Sequence, residues 1–570
     1  MLYYYKTKKR RRFRIRVLLT ISFMSVLIWA YFYPSSFANI MPYLESYPLP
    51  SLSSIKLKLL NENNARQERA TVKQATDAIT LDSANQAKEE MDRDGRKKES
   101  SELKYNLDLI AKIDKGDPES ETRVRIIKRD IAKTISYFKA GNAASDKTQI
   151  LGNYDGGHLA YVYYPNYGVH FNPVTTANLA ISLYKKGDHK KVVKIADELL
   201  DNAVVKQYPG VGKYYIWEYY FDLEFADLKF PAPWASGMAQ GLILDVFGKS
   251  YKITGDRKYL LAGDMVLNSF RVPWNENGVT DSDEHGNWYL EVAATDRLKI
   301  LNGFLFALDG IHNYHEQTGN TKARRLFYAG INEVKAHLQE YDLGYWSNYS
   351  LIKGNRANYA YHKIHVDLLN KLYRITRVPE LKIYAEKFDF YLKNRFIDIP
   401  PTHRSFKAIS SLTERGIIIS KDGWFSCSTE ISRAELIGWL TRLRGWKPAT
   451  THKGHYADIG RDREDWGYIE AAFENGLKLA DEKRSFRPDN SINRAEMASI
   501  LCKAFVVSAN KPRVSIIDVS STDQYHDAIE LALSNGLMDT YAPNYFRPNI
   551  KVTREQAANI LYRLLDYQPR

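Results

Sequence analysis

The sequence predicts a mainly α fold: an α/α toroid of helical hairpins, with a small β portion before it and a three-copy helical array after it. Three observations carry this expectation. Apolar helix-length segments end in "LYKKGD", "SYKITGD", "NYHEQTGN" and "LYRITRVPE", and each is followed by a shorter amphipathic helix. The first helices of these pairs, such as "PWASGMAQGLILDVFGKSY" and "LKILNGFLFALDGIHNY", are apolar nearly all round, as buried helices are. Finally, the last third repeats itself with a period of about 60 residues: Gly416, Gly476 and Gly536, then Arg433, Arg494 and Arg554, recur in register.

Taken in order, the chain starts with a cationic stretch in which eight of the first sixteen residues are Lys or Arg. More than half of the net charge of +14 therefore sits in one short segment, and the balance gives no reason to expect a nucleic-acid partner. The uncharged run "VLLTISFMSVLIWAYFY", residues 17–33, follows directly. Cations before an apolar run belong on the cytoplasmic side, so residues 1–40 read as a tail and signal anchor with the bulk outside the cytoplasm. The small residues Ser36-Phe37-Ala38 leave cleavage as the other outcome, which would place the chain at the cell surface or wall. Residues 41–135 are polar, charge-mixed and poor in aromatics, and read as a solvated, partly helical stalk. Two cysteines, Cys427 and Cys502, make no disulfide framework.

A third region, 136–400, opens on a Gly-, Tyr- and Pro-rich stretch with a strand-like piece, "GNYDGGHLAYVYYPNYGVHFNP". The hairpin turns follow at Gly187, Gly255, Gly319 and Arg377, three of them glycines suited to a left-handed helix cap. Long aromatic loops over 205–233, 273–292 and 341–361 each precede a first helix, so a toroid gathers them at one end. Glu291, expected as a helix N-terminal charge or as a catalytic carboxylate, stands on the second loop. Tyr349 and Tyr361, with His362 and His365, stand on the third loop and its helix. Tyr361 and His365 share a helix face. "HKIH" alone offers too few donors for a metal, and none is expected. Gln240 is a polar residue in an apolar helix and must bond to something. No nucleophile, phosphate-cradling or paired-carboxylate glycosidase pattern occurs.

"PWASGMAQGLILDVF", "WYLEVAATDRLKILNGFLFALDGI", "YWSNYSL" and "AYHKIHVDLLNKLY" together resemble the C-terminal domain of D-glucuronyl C5-epimerases. The resemblance covers about 150–395. It implies an α/α barrel, no cofactor, and an anionic uronic-acid polysaccharide as substrate. Its catalytic residues fall on Glu291, Tyr349 and Tyr361, with His362 stabilising charge. Gln240, Trp234, Tyr289, Trp346, Asn302, His365 and Arg356 are expected to line the substrate. Where the family commonly has Tyr after the Glu, this chain has Val292. A family Arg after the loop Tyr is Ile352, with Lys353 and Arg356 near enough to supply the charge. Uronate β-elimination and plain glycan binding are the alternatives to epimerisation.

Residues 401–570 resemble three S-layer homology modules. Their Thr-Arg-Ala-Glu hallmark appears as Ser432-Arg433-Ala434-Glu435, Asn493-Arg494-Ala495-Glu496 and Thr553-Arg554-Glu555-Gln556. That resemblance implies an anionic secondary cell-wall polymer as partner, held by Arg433, Arg494 and Arg554, or else arginines that tie two helices together.

Overall fold

The structure, a computed structural model, describes residues 79–113, 119–154, 157–225, 227–479, 484–505, 507 and 514–565. The apolar run 17–33 lies outside them. Among the described residues no helix is long and apolar enough to cross a membrane. The described residues fall into two compact units: one holds those up to Leu343 together with Ser347–Glu386, the other Gly344–Trp346 together with those from Lys387 on.

The first unit begins with three packed helices, α1 (Leu81–Arg93), α2 (Lys97–Ile113) and α3 (Ser120–Lys139). A solvated stalk was the expectation here, and the structure corrects it from Leu81 onward. Ile127, Ile131, Ile135 and Phe138 form one buried stripe of α3. That stripe is diluted by Lys and Arg on the other faces, which is why composition alone reads as solvated. The helix packs on a three-stranded antiparallel sheet of β1 (Gln149–Gly152), β2 (Tyr161–Tyr164) and β3 (Gly168–Phe171). Asp130 on α3 accepts a hydrogen bond from the backbone of Phe171 at 3.0 Å.

Four helical hairpins follow: α4 (Pro173–Lys185) with α5 (His189–Asp201), α6 (Gly237–Thr254) with α7 (Lys258–Ser269), α8 (Leu301–Thr318) with α9 (Thr321–His337), and α10 (Tyr359–Thr376) with α11 (Pro379–Asn394). All four turn residues are left-handed, with φ of 79° at Gly187, 70° at Gly255, 71° at Gly319 and 60° at Arg377. The side chains of Asn172, Ser236 and Asn358 cap α4, α6 and α10. The inner helices pack in the order α4–α6–α8–α10. The tightest approach is between α6 and α8. A Cβ on Gly241 would lie 2.6 Å from Ala307 Cα, and one on Gly310 2.0 Å from the Gly241 carbonyl oxygen. The toroid is the one part of the predicted fold that is not reproduced. Among the described residues, α10 lacks the extensive packing on α4 that would close the row into a ring.

Between α5 and α6 run three short antiparallel pairs: β4 (Val204–Tyr208) with β5 (Gly212–Ile216), β6 (Glu218–Tyr219) with β9 (Trp234–Ala235), and β7 (Leu223–Phe225) with β8 (Leu228–Phe230). A further hairpin, β10 (Thr280–Ser282) and β11 (Asn287–Tyr289), lies between α7 and α8, and β11 packs on α9. Arg123 on α3 grips buried Glu218 through two bonds of 2.8 and 2.9 Å, and Lys206 adds a third contact at 2.9 Å. Burial opposes the charge on Glu218, yet Lys206 and Arg123 hold its carboxyl below the ordinary range.

The second unit holds three helix pairs: α12 (Phe406–Glu414) and α13 (Arg433–Leu443), α14 (Trp466–Glu474) and α15 (Arg494–Ala504), α16 (His526–Ser534) and α17 (Arg554–Arg563). Gly416, Gly476 and Gly536 take φ of 68°, 89° and 70° just after α12, α14 and α16. The pairs do not stack in a line. Each second helix packs on the first helix of the next pair, α13 on α14 and α15 on α16, and α17 returns to α12. At the centre three backbone amides bond in a cycle. Ile431 donates to Val552 at 2.9 Å, Val552 to Ile492 at 3.0 Å, and Ile492 to Ile431 at 3.3 Å. Side chains of all three pairs share one buried core. Cys427 and Cys502 are free thiols.

Candidate active site

Glu291, Tyr349 and Tyr361 converge. Two amides fix the segment carrying Glu291, with Gly237 donating to Leu290 at 2.7 Å and Ala293 to Ala235 at 2.9 Å. The helix start expected at Glu291 lies at Leu301 instead, so the carboxylate caps nothing. It rests against the first turn of α8, where a Cβ on Gly303 would lie 2.0 Å from Glu291 Oε2. That oxygen is sealed from water and accepts no hydrogen bond, although the residue as a whole is only half-buried. Desolvation of the carboxylate pushes its pKa up to about 8.

The loop carrying Tyr349 is sewn to the same segment, because Leu301 donates to the Tyr349 carbonyl at 3.1 Å and Leu351 to that of Lys299 at 3.3 Å. Tyr349 and Tyr361 are buried with ring centroids 4.7 Å apart. Burial, and then the neighbouring Glu291, hold the Tyr349 phenol protonated far above its usual range. Behind Tyr361, both histidines of "HKIH" turn to one hydroxyl. Ser347 Oγ lies 2.7 Å from His362 Nδ1 and 2.9 Å from His365 Nδ1. Burial drives His365 well below its usual value, so that ring is neutral.

Tyr219 belongs here too, and sequence reasoning missed it. It feels burial first, then Tyr164 and Glu291, and it stacks on Trp234 at 4.1 Å. In "WEYYF" it is one aromatic among several, with no spacing to single it out. Asn302, next to Gly303, is fully buried with neither amide atom bonded. Arg356 is exposed on the loop between Tyr349 and α10, and Trp346 is fully buried.

Three expected substrate contacts prove to be internal. The Gln240 amide accepts from Trp217 N at 3.2 Å and donates to Tyr215 O and Ser269 Oγ, both at 2.8 Å. Tyr289 donates its hydroxyl to the Leu326 carbonyl at 2.7 Å, and Trp234 its Nε1 to that of Phe221 at 2.9 Å. Each polar atom has found a backbone partner in its own neighbourhood, which periodicity cannot foresee. Two surface concavities lie apart from Glu291, one lined by Glu119, Lys206 and Tyr214, the other by Phe270, Arg325 and Leu326.

The repeated arginines are also engaged internally. Arg433 donates to the carbonyls of Phe486 at 2.8 Å and Leu479 at 3.1 Å. Arg494 does the same to Phe546 at 2.7 Å and Asp539 at 2.6 Å. Arg554 pairs with Glu435 and lies over Phe425. Arg433 and Arg494 thus lock their own helices to the loop of the next pair, whereas Arg554 ties its helix to α13.

Comparison with known proteins agrees with this architecture. Residues 211–389 match the family described as D-glucuronyl C5-epimerase C-terminus. The likeness to that family is carried by this part of the chain. Residues 456–498 and 518–558 match the S-layer homology domain. An uncharacterized protein of Methanocaldococcus jannaschii is 30% identical over 26% of this chain and 49% of its own length. The D-glucuronyl C5-epimerase of Caenorhabditis elegans is 30% identical over 29% of this chain and 30% of its own. A surface-layer 125 kDa protein of Lysinibacillus sphaericus is 32% identical over 16% of this chain and 8% of its own. The chain spans less than half the length of these relatives.

Proposed function

We propose that the chain is a surface-attached enzyme that inverts D-glucuronate residues at C5, to L-iduronate, within an anionic polysaccharide. The observation that carries this reading is the meeting of Glu291, Tyr349 and Tyr361 around one desolvated carboxylate. Epimerisation removes the proton α to the sugar carboxylate and returns one from the opposite face. Glu291, poised near pH 8, serves as base on one face, and Tyr361 supplies the proton on the other. Tyr349, locked in its protonated state, donates a hydrogen bond to the enediolate-like charge that builds on the sugar carboxylate, and His362 adds to that stabilisation. Asn302 and exposed Arg356 orient the chain, Arg356 through the next anionic group. No redox step occurs: Glu291 takes up the C5 proton, Tyr361 gives up its own, and proton exchange with water restores both groups before the next turnover.

The C-terminal repeats attach the enzyme to an anionic wall polymer, and the cationic and apolar segments before residue 40 direct its export and hold it at the membrane. Arg433, Arg494 and Arg554, being engaged already, act by shaping the surfaces between pairs and by their residual charge. The deciding experiment incubates the purified chain with glucuronate polymers in deuterated water. Deuterium at C5 is expected. An unsaturated product would replace this reading by a lyase, and glycan binding without exchange by a lectin-like role. The second outcome has one observation in its favour: buried Val292 where the family carries a phenol.

A further inference from the structure

We propose that Asp283, Glu333 and His337 bind one divalent cation of zinc's size and so tie the β10–β11 hairpin to α9. The three donors come together on the first unit, outside the Glu291 cluster. His337 Nε2 lies 3.1 Å from Asp283 Oδ2 and 3.4 Å from Glu333 Oε1. Donors about 2.1 Å from a tetrahedral ion stand about 3.4 Å from one another, so the spacing already fits such an ion.

A second, independent observation points to a ligand. Glu333 is completely buried, and neither of its oxygens accepts a hydrogen bond. A carboxylate removed from water without donors is costly, and a cation between it and Asp283 would resolve it. The histidine is also prepared for this task. Its other nitrogen, Nδ1, meets the Glu340 carboxylate, which turns Nε2 to the two acids; Nε2 is hydrogen-bonded to Asp283 at 3.1 Å, a contact that a bound ion would replace.

Charge agrees with the geometry. The groups that face this point are Asp281, Asp283, Glu333 and Glu340, against Lys299, His337 and His285, whose ring lies 5.7 Å from that of His337. Acidic groups thus outnumber basic ones there, four to three. Lys299 lies 3.0 Å from Asp281 but 3.7 Å from Glu333, so it belongs more to the former. One imidazole with two carboxylates suits zinc or a similar first-row ion and not calcium, which takes six to eight oxygens.

The test uses the whole chain, stripped with a chelator and reloaded with Zn²⁺ or Co²⁺. Calorimetry and elemental analysis should show one ion bound at micromolar or tighter concentration, and the cobalt form should show the strong visible bands of tetrahedral coordination. Asp283→Asn, on an exposed turn and so benign for folding, should weaken that equivalent at least 100-fold and abolish the bands. His337→Gln should do the same. Two results would each overturn the site: binding no tighter than millimolar in the unaltered chain, or a tight equivalent unchanged by Asp283→Asn. Should His337→Gln fail to fold, the Asp283→Asn result decides alone.

Discussion

Both units are made of helix pairs, yet they place their distinctive residues in opposite ways. In the C-terminal unit the residues that recur, Arg433, Arg494 and Arg554 with Gly416, Gly476 and Gly536, are the ones that hold the structure together. In the first unit the recurring positions are turn residues, and the candidate site is drawn from loops that do not resemble one another. Periodicity therefore marks scaffolding in both, and chemistry collects where the pattern breaks.

That contrast is open to test. The largest expected effect is on Glu291. Glu291→Gln should lower C5 exchange by about 10²–10⁴-fold, the usual worth of a positioned base, without loss of thermal stability; exchange retained in full would remove Glu291 from the mechanism. Arg494→Ala should do the reverse. It should leave exchange unchanged and destabilise the repeat unit by about 1.5–3 kcal/mol in urea denaturation, because the buried Phe546 carbonyl and the part-buried one of Asp539 lose a charged donor. An unaltered urea midpoint would mean that the arginine is free for a ligand after all.

Gly303→Ala lies between these two. Its methyl group meets the Glu291 carboxylate, so exchange should fall about tenfold or more, by the general cost of misplacing a reacting group. A wild-type rate would show that the carboxylate does not rest there during turnover.

The pH dependence sharpens the comparison further. Since desolvation raises the Glu291 pKa to about 8, the ionised base grows through that pH, and exchange should rise up to about pH 8 and level above it. Ionising this acid costs more in the folded chain than in the unfolded one, so its effect on stability is unfavourable from about pH 4.3 upward. Glu291→Gln should flatten that slope. Glu218 has the opposite sign, because Lys206 and Arg123 depress its pKa. Its stabilisation is present above the unfolded value and disappears as pH falls through the folded one, an acid-unfolding component that Glu218→Gln should delete. The smallest expected effect is that of Gln240→Ala, which should change stability and leave the apparent KM for polymer untouched.

Much of this was readable before the structure. The four turn positions and three terminal helix pairs stand where the pattern placed them, because helix ends are punctuated locally by glycine and by capping side chains. The pattern of loops before first helices brought Glu291, Tyr349 and Tyr361 to one end, 58 and 70 residues apart in sequence, and the resemblance singled them out from the other aromatics. Gln240 and Tyr289 were misread because a buried polar atom finds its partner through tertiary contact, which no spacing encodes. The helices of 81–139 escaped notice since one apolar stripe among many charges looks solvated in composition. Tyr219 and Gly303 gave no warning: one is a tyrosine in an aromatic run, the other a glycine needed for the space it leaves.

The cyclic amide bonds of Ile431, Ile492 and Val552 bear on how this unit can change through descent. A linear array of modules lengthens or shortens by one without harm, since each neighbour contact is repeated independently. A closed triangle cannot. Deleting one pair would open two edges and expose the shared core, and a fourth pair would find no vacant edge. The number of copies is thus fixed by closure. Each copy is free to drift only so far as the other two still meet across it.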